Sequence, residues 1–175
     1  MTHPKITNWY FVRHAPVVKH SGHLPHYDPP IIDVPLGVDQ LRATLPSGAD
    51  WHISPLIRTR QTADLLMPAL TSKSAVFDDN LIEMSFGDWH EQPISDVWDN
   101  ISDTARHNWS FIMPDTTPPN GNSFEALCQR VSAWMDQQAV QTLPENPHIV
   151  VTHAGVIKAA LRHILDIDPI RAIGI

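Results

Sequence analysis

The chain has 175 residues, of which 42% are hydrophobic and 18% are charged, proportions that fit one folded domain rather than a disordered segment. Nineteen acidic residues against twelve basic ones give a net charge of −7, which argues against nucleic acid or an anionic membrane as the main partner. No stretch approaches the about 18 apolar residues of a membrane span, the polar residues 1–5 precede no apolar signal core, and the single cysteine, Cys128, excludes an internal disulfide framework. We therefore expect one cytoplasmic domain that covers residues 1–175.

The first half of the chain predicts two strands and a helix. Residues 9–12 (WYFV) are a continuous apolar run, which is typical of a strand buried on both faces. A second short apolar run, at 51–53 (WHI), is followed by Ser54 and Pro55, which fit the N-cap and the first position of a helix. Apolar residues then recur at helical spacing from 56 to 70, so a helix is predicted there.

The middle of the chain is less regular. Residues 76–77 predict a short third strand. From 84 to 122 prolines and aromatic residues break the pattern, and we interpret this insertion as a cover over one end of the sheet. Asn122 and Glu125 resemble a capping box, and the apolar stripe that follows over 124–135 predicts a helix.

The last strand is the clearest one. Residues 149–151 (IVV) form a continuous apolar run, and residues 156–165 repeat apolar side chains at helical spacing behind it. A strand followed by a helix thus recurs three times, which predicts an α/β fold with a mostly parallel sheet.

Basic and histidine side chains follow three of these strands. Arg13 and His14 follow the first strand, Arg58 lies just beyond the second, and His153 and Ala154 follow the last. Ligands of parallel α/β sheets bind outside the carboxyl ends of the strands, where helix N-termini favour an anion. Taken singly, Arg13 fits a surface arginine and His153 a core histidine; together, the residues predict an anion-binding α/β protein.

Five sequence blocks, in order over residues 9 to about 165, resemble the motifs of one family. This is the histidine phosphatase superfamily, in its phosphoglycerate-mutase-like branch. The resemblance implies a three-layer sandwich whose mostly parallel central sheet is flanked by helices, the phosphoglycerate mutase-like fold. The blocks are 11–15 (FVRHA), 54–63 (SPLIRTRQTA), 81–89 (LIEMSFGDW), 118–124 (PPNGNSF) and 150–157 (VVTHAGVI).

The resemblance implies phosphoryl transfer through a phosphohistidine on His14. Arg13, Arg58 and His153 would hold the phosphoryl oxygens, together with Ala154 at the start of the last helix. Attack requires a neutral ring, and positive charge from the two arginines, and from His153 if it is protonated, would lower the pKa of His14. A backbone carbonyl at the other ring nitrogen would fix the tautomer.

Glu83 is the implied general acid and base of this scheme. Its pKa would have to be raised, and desolvation by the nearby Phe86 and Trp89 could do this. Asp88 and Glu91 are the local competitors for the role, and Trp89 is also a candidate for substrate binding. The scheme requires neither a metal ion nor a cofactor, because the arginines supply the electrostatic stabilisation.

A histidine series after the first motif has two interpretations. His20, His23 and His26 have a spacing that could bring imidazoles together around a metal on a helix. Gly22 and Pro25 interrupt such a helix, so a loop at the edge of the pocket is the preferred interpretation.

Two other features concern the rim of the site. Residues 28–30 (DPP) resemble a segment of some bacterial relatives that borders the phosphate site. Trp89, Trp98, Trp109 and Phe111 could stack on a flat leaving group, or they could form the core of the insertion.

The sequence departs from the family pattern at several positions. Ala15 and Ala154 stand where glycine is common, Asn122 replaces the usual glutamate, and residues 90–92 (HEQ) differ from the glutamate-glycine that often follows the tryptophan. Relatives usually add one or two strands after the last helix, whereas this chain stops at Ile175. We therefore expect a sheet that lacks an edge, through truncation or because the other subunit of a homodimer covers it.

Hydrolysis is favoured over phosphoryl interconversion. Arg106 is the only basic residue from 84 to 122, too few for the bisphosphate clamp of a glycolytic-type mutase. We expect a monoester phosphatase for a small phosphorylated metabolite, similar in pattern to α-ribazole phosphatases and to other bacterial phosphatases. The alternatives are a phosphoglycerate-type mutase and a non-catalytic phosphate-binding regulatory relative; short protein-phosphohistidine phosphatases fit less well.

Overall fold

The computed structural model describes residues 6–33, 37–101, 110–114, 116–141 and 146–175. Within them four parallel strands form one sheet in the order β1-β4-β2-β3. The strands are β1 (Trp9–Arg13), β2 (Ala49–Ile53), β3 (Ser72–Phe77) and β4 (His148–Thr152). The α-helices are α1 (Val38–Thr44), α2 (Ile57–Leu66), α3 (Ile94–Asn100), α4 (Phe124–Gln141), α5 (Ala154–Leu165) and α6 (Pro169–Ile173). Single 3₁₀ turns lie at Met67–Ala69, Asp79–Leu81, Gly87–Trp89 and Ser110–Ile112.

The helices cover both faces of the sheet. Along β4, Ile149 and Val151 point into a core shared with β2 and α2, whereas Val150 between them packs against α4 and α5. This alternation follows from the period of two in a strand. The predicted α/β three-layer sandwich with a parallel central sheet is confirmed.

The apolar runs of β1 and β4 have different surroundings. Every residue of β4 is buried, as expected for a central strand. The prediction that β1 is buried on both faces is wrong: Trp9, Tyr10 and Phe11 are only partly covered. The reason is that β1 pairs with β4 alone among the described residues and lies at the edge of the sheet. The opposite edge, β3, is also exposed.

The predicted start of α2 is wrong by two residues. The helix begins at Ile57, and Ser54 does not cap it. Instead, the Asp28 carboxylate accepts hydrogen bonds from the Ile57 amide at 2.8 and 3.0 Å. A residue 29 positions earlier in the chain therefore satisfies the first amide of the helix, which frees the Ser54 hydroxyl for another contact.

The predicted capping box of α4 is also wrong. Ser123 Oγ accepts the hydrogen bond from the Ala126 amide at 3.1 Å, so the hydroxyl of Ser123 caps the helix. Asn122 Oδ1 instead accepts from the Ser85 amide at 2.6 Å. The predicted stripe is correct in its interior, where Cys128 is fully buried.

Short helices were not predicted from the sequence. α1 buries none of its residues, so its composition carries little hydrophobic periodicity. α3 lies inside the insertion, and α6 follows α5, burying Ala172 and Ile173 against α4 and α5. No strand follows α5 in the part of the chain that the structure describes.

The insertion has a core of its own. Leu24, Trp89 and Val97 are buried together, with partly buried aromatic and aliphatic side chains around them. Gly87 has a φ of 51°, and a Cβ there would collide with the backbone of Pro119, so glycine permits the close approach of these two segments. The predictions that involve Arg106 and Trp109 lie outside the described residues.

None of the described helices is both long enough and apolar enough to cross a membrane.

Candidate active site

Parallel pairing brings the ends of three strands together. The register places Arg13 opposite Thr152, and the His14 amide donates to the Thr152 carbonyl at 2.9 Å. The Ser54 amide donates to the Val151 carbonyl at 3.0 Å. Residues that are distant in sequence therefore meet at the carboxyl edge of the sheet, where this class of fold binds ligands.

His14 is held as a neutral ring with one nitrogen unprotonated. Its Nδ1 lies 2.7 Å from the Ala15 carbonyl oxygen, and because a carbonyl only accepts, Nδ1 carries the proton and Nε2 the lone pair. The pKa of His14 is lowered to about 4, chiefly by burial. Positive charge from Arg58, Arg13 and Lys19 acts in the same direction, whereas the bond to Ala15 acts against it.

His153 lies beside His14, with ring centroids 5.3 Å apart. Arg58 Nε donates to His153 Nδ1 at 3.2 Å, so the proton of the neutral ring is on Nε2, which donates to Ser54 Oγ at 2.8 Å. Burial, followed by the charge of Arg58, lowers the pKa of His153 to about 2. The protonated form considered from the sequence is therefore wrong, because a guanidinium faces the nitrogen that would gain the proton.

Arg58 is oriented by the loop after β1. Its side chain is buried, and Nη1 donates to the Tyr27 carbonyl at 2.9 Å and to Asp28 Oδ1 at 3.3 Å. Asp28 thus contacts both Arg58 and the start of α2, which puts the DPP segment next to the cluster, where the resemblance implied it. Thr62 adds a second link: its hydroxyl donates to the Arg58 carbonyl and accepts from the Ala15 amide.

Arg13 is more exposed than Arg58 and lacks the hydrogen bonds that orient Arg58. Its side chain is exposed, and no described residue forms a hydrogen bond or an ion pair with its guanidinium. Its side chain lines a cavity that Glu83 also lines, so the donors of the guanidinium are available to an anion there.

Glu83 reaches the same cavity from the segment after β3. Its Oε2 accepts from the Gly155 amide at 3.0 Å and its Oε1 from the Met84 amide at 3.1 Å. Burial raises the pKa of Glu83, and these two hydrogen bonds and the charges of Arg58 and Arg13 oppose the rise. A Cβ on Gly155 would collide with Glu83 Oε1, so this approach requires glycine at 155.

Two other residues hold the Glu83 segment in place. Thr152 Oγ1 donates to the Leu81 carbonyl at 2.9 Å. Arg130, on α4, donates to the Asp79 carbonyl at 2.9 Å and to the Ile82 carbonyl at 2.6 Å. The carboxylate is therefore positioned by contacts to both β4 and α4.

The site opens into a cavity of about 490 Å³ that Arg13, Glu83 and Ala154 line. Met84, Phe86 and Ile112 bring the insertion to its wall, so Phe86 contributes to the burial next to Glu83.

Trp89 does not line this cavity, and its assignment as a substrate-binding residue is wrong. It is 6% exposed and packs in the core of the insertion, because a segment that long needs apolar side chains of its own to fold. Trp98 and Phe111 likewise pack on each other, with centroids 4.5 Å apart. Neither Asp88 nor Glu91 lines the cavity; Asp88 accepts from the Asn120 side-chain amide.

The loop histidines do not assemble into a ligand set. His20 and His23 stack with centroids 4.6 Å apart, and His26 Nδ1 accepts from the Asp28 amide. Among the described residues no group of three or more His, Cys, Asp or Glu side chains is placed to hold a metal ion.

Sequence reasoning missed Ser54 and Arg130 as parts of the site. Ser54 stands in a matched motif but was interpreted as a helix cap, since a serine before proline carries that signal. Arg130 gave no signal, because its partners are carbonyls about 50 residues away. Asn122 stands where the family has glutamate, and it contacts Ser85. Its backbone amide donates to the Ser85 carbonyl at 3.1 Å.

The chain is similar to known proteins in sequence and in fold. A family model for the histidine phosphatase superfamily, branch 1, matches residues 9–174. No curated protein matches the sequence. Several solved structures do match it. A protein of Escherichia coli K-12, provisionally described as an α-ribazole-5'-P phosphatase, is 22% identical, with a TM-score of 0.76 over 95% of this chain and 84% of its own. Mycobacterial glucosyl-3-phosphoglycerate phosphatase is 20% identical, with a TM-score of 0.70 over 94% of this chain and 82% of its own.

A third structure, the protein TTHB049 from Thermus thermophilus, is 26% identical, with a TM-score of 0.60 over 88% of this chain and 82% of its own. These similarities show the phosphoglycerate mutase-like fold, and the family model spans nearly the whole chain. The chain belongs to the histidine phosphatase superfamily, branch 1.

Proposed function

We propose that this protein hydrolyses phosphate monoesters of a small metabolite through a phosphohistidine on His14, with Glu83 as general acid and base. Membership of the superfamily supports a phosphatase- or mutase-type activity. The observation that carries the finer proposal is the neutral His14 ring, whose Nδ1 is bonded to Ala15 while Nε2 keeps its lone pair beside two arginines.

In the first step the Nε2 lone pair of His14 attacks phosphorus, and the bond from phosphorus to the alcohol oxygen breaks. Arg13 and Arg58 stabilise the charge on the phosphoryl oxygens, which is the main catalytic task in a loose transition state. The leaving oxygen takes the proton of Glu83. Burial raises the pKa of Glu83, which is the direction that a general acid requires.

In the second step the Glu83 carboxylate takes a proton from water, and the oxygen of that water attacks phosphorus. The phosphorus–nitrogen bond breaks, its electron pair returns to Nε2 of His14, and inorganic phosphate leaves. Neither step draws on a metal ion, because the two guanidinium groups supply the positive charge.

The cavity lining favours hydrolysis over a mutase reaction. Besides Arg13, Lys158 is the only basic residue among the described residues that line it, and its Nζ donates to the Ile173 carbonyl. A second phosphate would need further cations there. Interconversion of phosphoglycerates faster than their hydrolysis would favour the mutase, and no turnover across a broad panel of esters would favour a phosphate-binding protein.

The covalent step is tested by the stereochemistry at phosphorus. Two in-line displacements retain the configuration of a chiral isotopic phosphate ester, whereas one displacement by water inverts it. We expect retention, together with a rapidly quenched phosphoenzyme that is labile in acid and stable in base. His14→Ala should abolish both turnover and the adduct, and His148→Ala, at the other end of β4, should keep both. Inversion would contradict the proposal.

A further inference from the structure

The cavity that Arg13 and Glu83 line is mostly apolar. Its apolar wall has three sources: Met84, Phe86 and Ile112 from the insertion side, Phe124, Ile157 and Leu161 from α4 and α5, and Ile175 after α6. Among the described lining residues, Arg13, Glu83 and Lys158 are the ones with charged or polar side chains. The part that would face the alcohol half of an ester is therefore hydrocarbon.

This wall offers little to a hydroxyl-rich alcohol. Each hydroxyl group that loses water without gaining a partner disfavours binding. Lys158 already donates to the Ile173 carbonyl, and both Glu83 oxygens accept backbone amides. An apolar alcohol gives up no such hydrogen bonds with water, and burial of its hydrocarbon surface favours binding.

The volume fits a sizeable group. At about 490 Å³ the cavity lies within the range of about 300–1,000 Å³ that small-molecule sites occupy. Because Arg13 and Glu83 line it, the phosphoryl end and the alcohol end of one ester can occupy the same space.

We propose that the substrates of this enzyme are phosphomonoesters of predominantly apolar alcohols, either alkyl or aryl, whose hydrocarbon part packs between the insertion and α5. This inference rests on the proposed hydrolase function and adds the class of leaving group to it.

A series of straight-chain alkyl phosphates, from ethyl to octyl, tests the inference. These esters differ little in leaving-group reactivity, so kcat/KM reports the contact with the wall. We expect it to rise about fourfold per added methylene until the cavity is filled, which is the factor that corresponds to about 0.8 kcal/mol per buried CH₂. Hexyl phosphate should also be a far better substrate than glucose 6-phosphate, which has the same number of carbons.

Two matched variants on α5 locate the effect. Leu161 lines the cavity, whereas Leu165 is 55% exposed and does not. Leu161→Gln should flatten the dependence on chain length, and Leu165→Gln should leave it as in the parent protein. Equal slopes in both variants would contradict the assignment of the wall.

The outcomes separate this inference from the proposed function. A flat alkyl series, or better turnover of the sugar phosphate, overturns the leaving-group class while hydrolysis itself stands. If no ester is turned over, the hydrolase proposal fails. Calorimetry with ethyl- and octylphosphonate then tests whether the cavity still binds an apolar group. Tighter binding of the octyl compound supports the apolar site, and equal binding overturns it.

Discussion

Two pairs of histidines lie along β4. The rings of His14 and His153 have centroids 5.3 Å apart, and so have those of His52 and His148. His148 begins β4 and His153 follows its last residue, whereas His52, in β2, is in register with Val150. The same side chains at the same spacing therefore occur twice along one strand, in different surroundings.

The pair formed by His52 and His148 is enclosed by aromatic rings. His52 Nε2 lies 3.1 Å from His148 Nδ1, Trp9 stacks on His148 with centroids 4.1 Å apart, and Trp134 meets His52 edge-on. Burial is the main cause that lowers the pKa of both histidines. The outer nitrogens, His52 Nδ1 and His148 Nε2, are buried without a hydrogen-bond partner among the described residues.

The comparison shows that the neighbours of a histidine, more than its burial, decide what it can do. All four rings have lowered pKa values. In the described structure Arg58 is hydrogen-bonded to the pair at the carboxyl edge, and His14 lines a cavity together with Arg13. The other pair is enclosed by aromatic rings, and we assign it a structural role. Four measurements test this division.

The largest effect is expected at Glu83, the proposed general acid at the carboxyl edge. Glu83→Gln should lower kcat/KM for alkyl phosphates by about 10²–10⁴. The loss should be smaller for p-nitrophenyl phosphate, whose leaving group needs no proton. An equal loss for both esters would argue against proton donation by this residue.

The pH dependence checks the same group. Activity requires a neutral His14 and a protonated Glu83, so kcat/KM for an alkyl ester should fall below about pH 4, the pKa of His14. It should also fall as pH rises through the raised pKa of Glu83. Glu83→Gln should remove the alkaline decline and keep the acidic one.

A smaller effect is expected at Ser54, which follows β2 and is hydrogen-bonded to His153 after β4. Ser54→Ala leaves a buried N–H unpaired, which should lower the free energy of unfolding by about 1–3 kcal/mol. Activity should fall about tenfold, because Arg58 is bonded to the ring that is released; a factor of ten corresponds to about 1.4 kcal/mol.

Ser132→Ala is the matched control for this change. The Ser132 hydroxyl is buried and has no hydrogen-bond partner among the described residues, so its removal should alter neither denaturant unfolding nor turnover. Equal behaviour of the two alanine variants would show that the bond between Ser54 and His153 contributes nothing.

The smallest effect concerns the acid sensitivity of folding that the aromatic pair causes. In the unfolded chain the pKa of a histidine is about 6.5, whereas His52 and His148 have lowered pKa values in the folded protein. Their contribution is therefore complete above that pH and is lost as the pH falls below it. Each extra proton bound by the unfolded chain gives a slope of about 1.4 kcal/mol per pH unit.

Urea unfolding between pH 7.5 and 5 measures this slope. His148→Ala should make it shallower than in the parent protein, although the variant is less stable at pH 7.5. A slope equal to that of the parent protein would mean that His148 titrates alike in the folded and unfolded chains.

Local patterns predicted the parts of this protein that depend on nearby residues. The apolar runs at β1, β2 and β4 and the helical stripes of α2, α4 and α5 are found where periodicity predicted them, because a strand or helix with one or two buried faces repeats at a fixed interval. His14, Arg58 and His153 could be singled out because each follows a predicted strand closely, whereas Glu83 was found only through the resemblance of its motif to the family.

Contacts between distant residues decided the rest. Sequence reasoning took Ser54 for a helix cap and Trp89 for a substrate contact, whereas the structure gives Ser54 a partner 99 residues away and buries Trp89 in the insertion. The apolar run of β1 predicts a buried strand, but β1 lies at an edge, because strand order depends on pairing between segments far apart in the chain. The sequence by itself determined which residues end the strands, and the tertiary structure decided which of them meet, since hydrogen-bond partners and burial depend on packing that no short stretch of sequence contains.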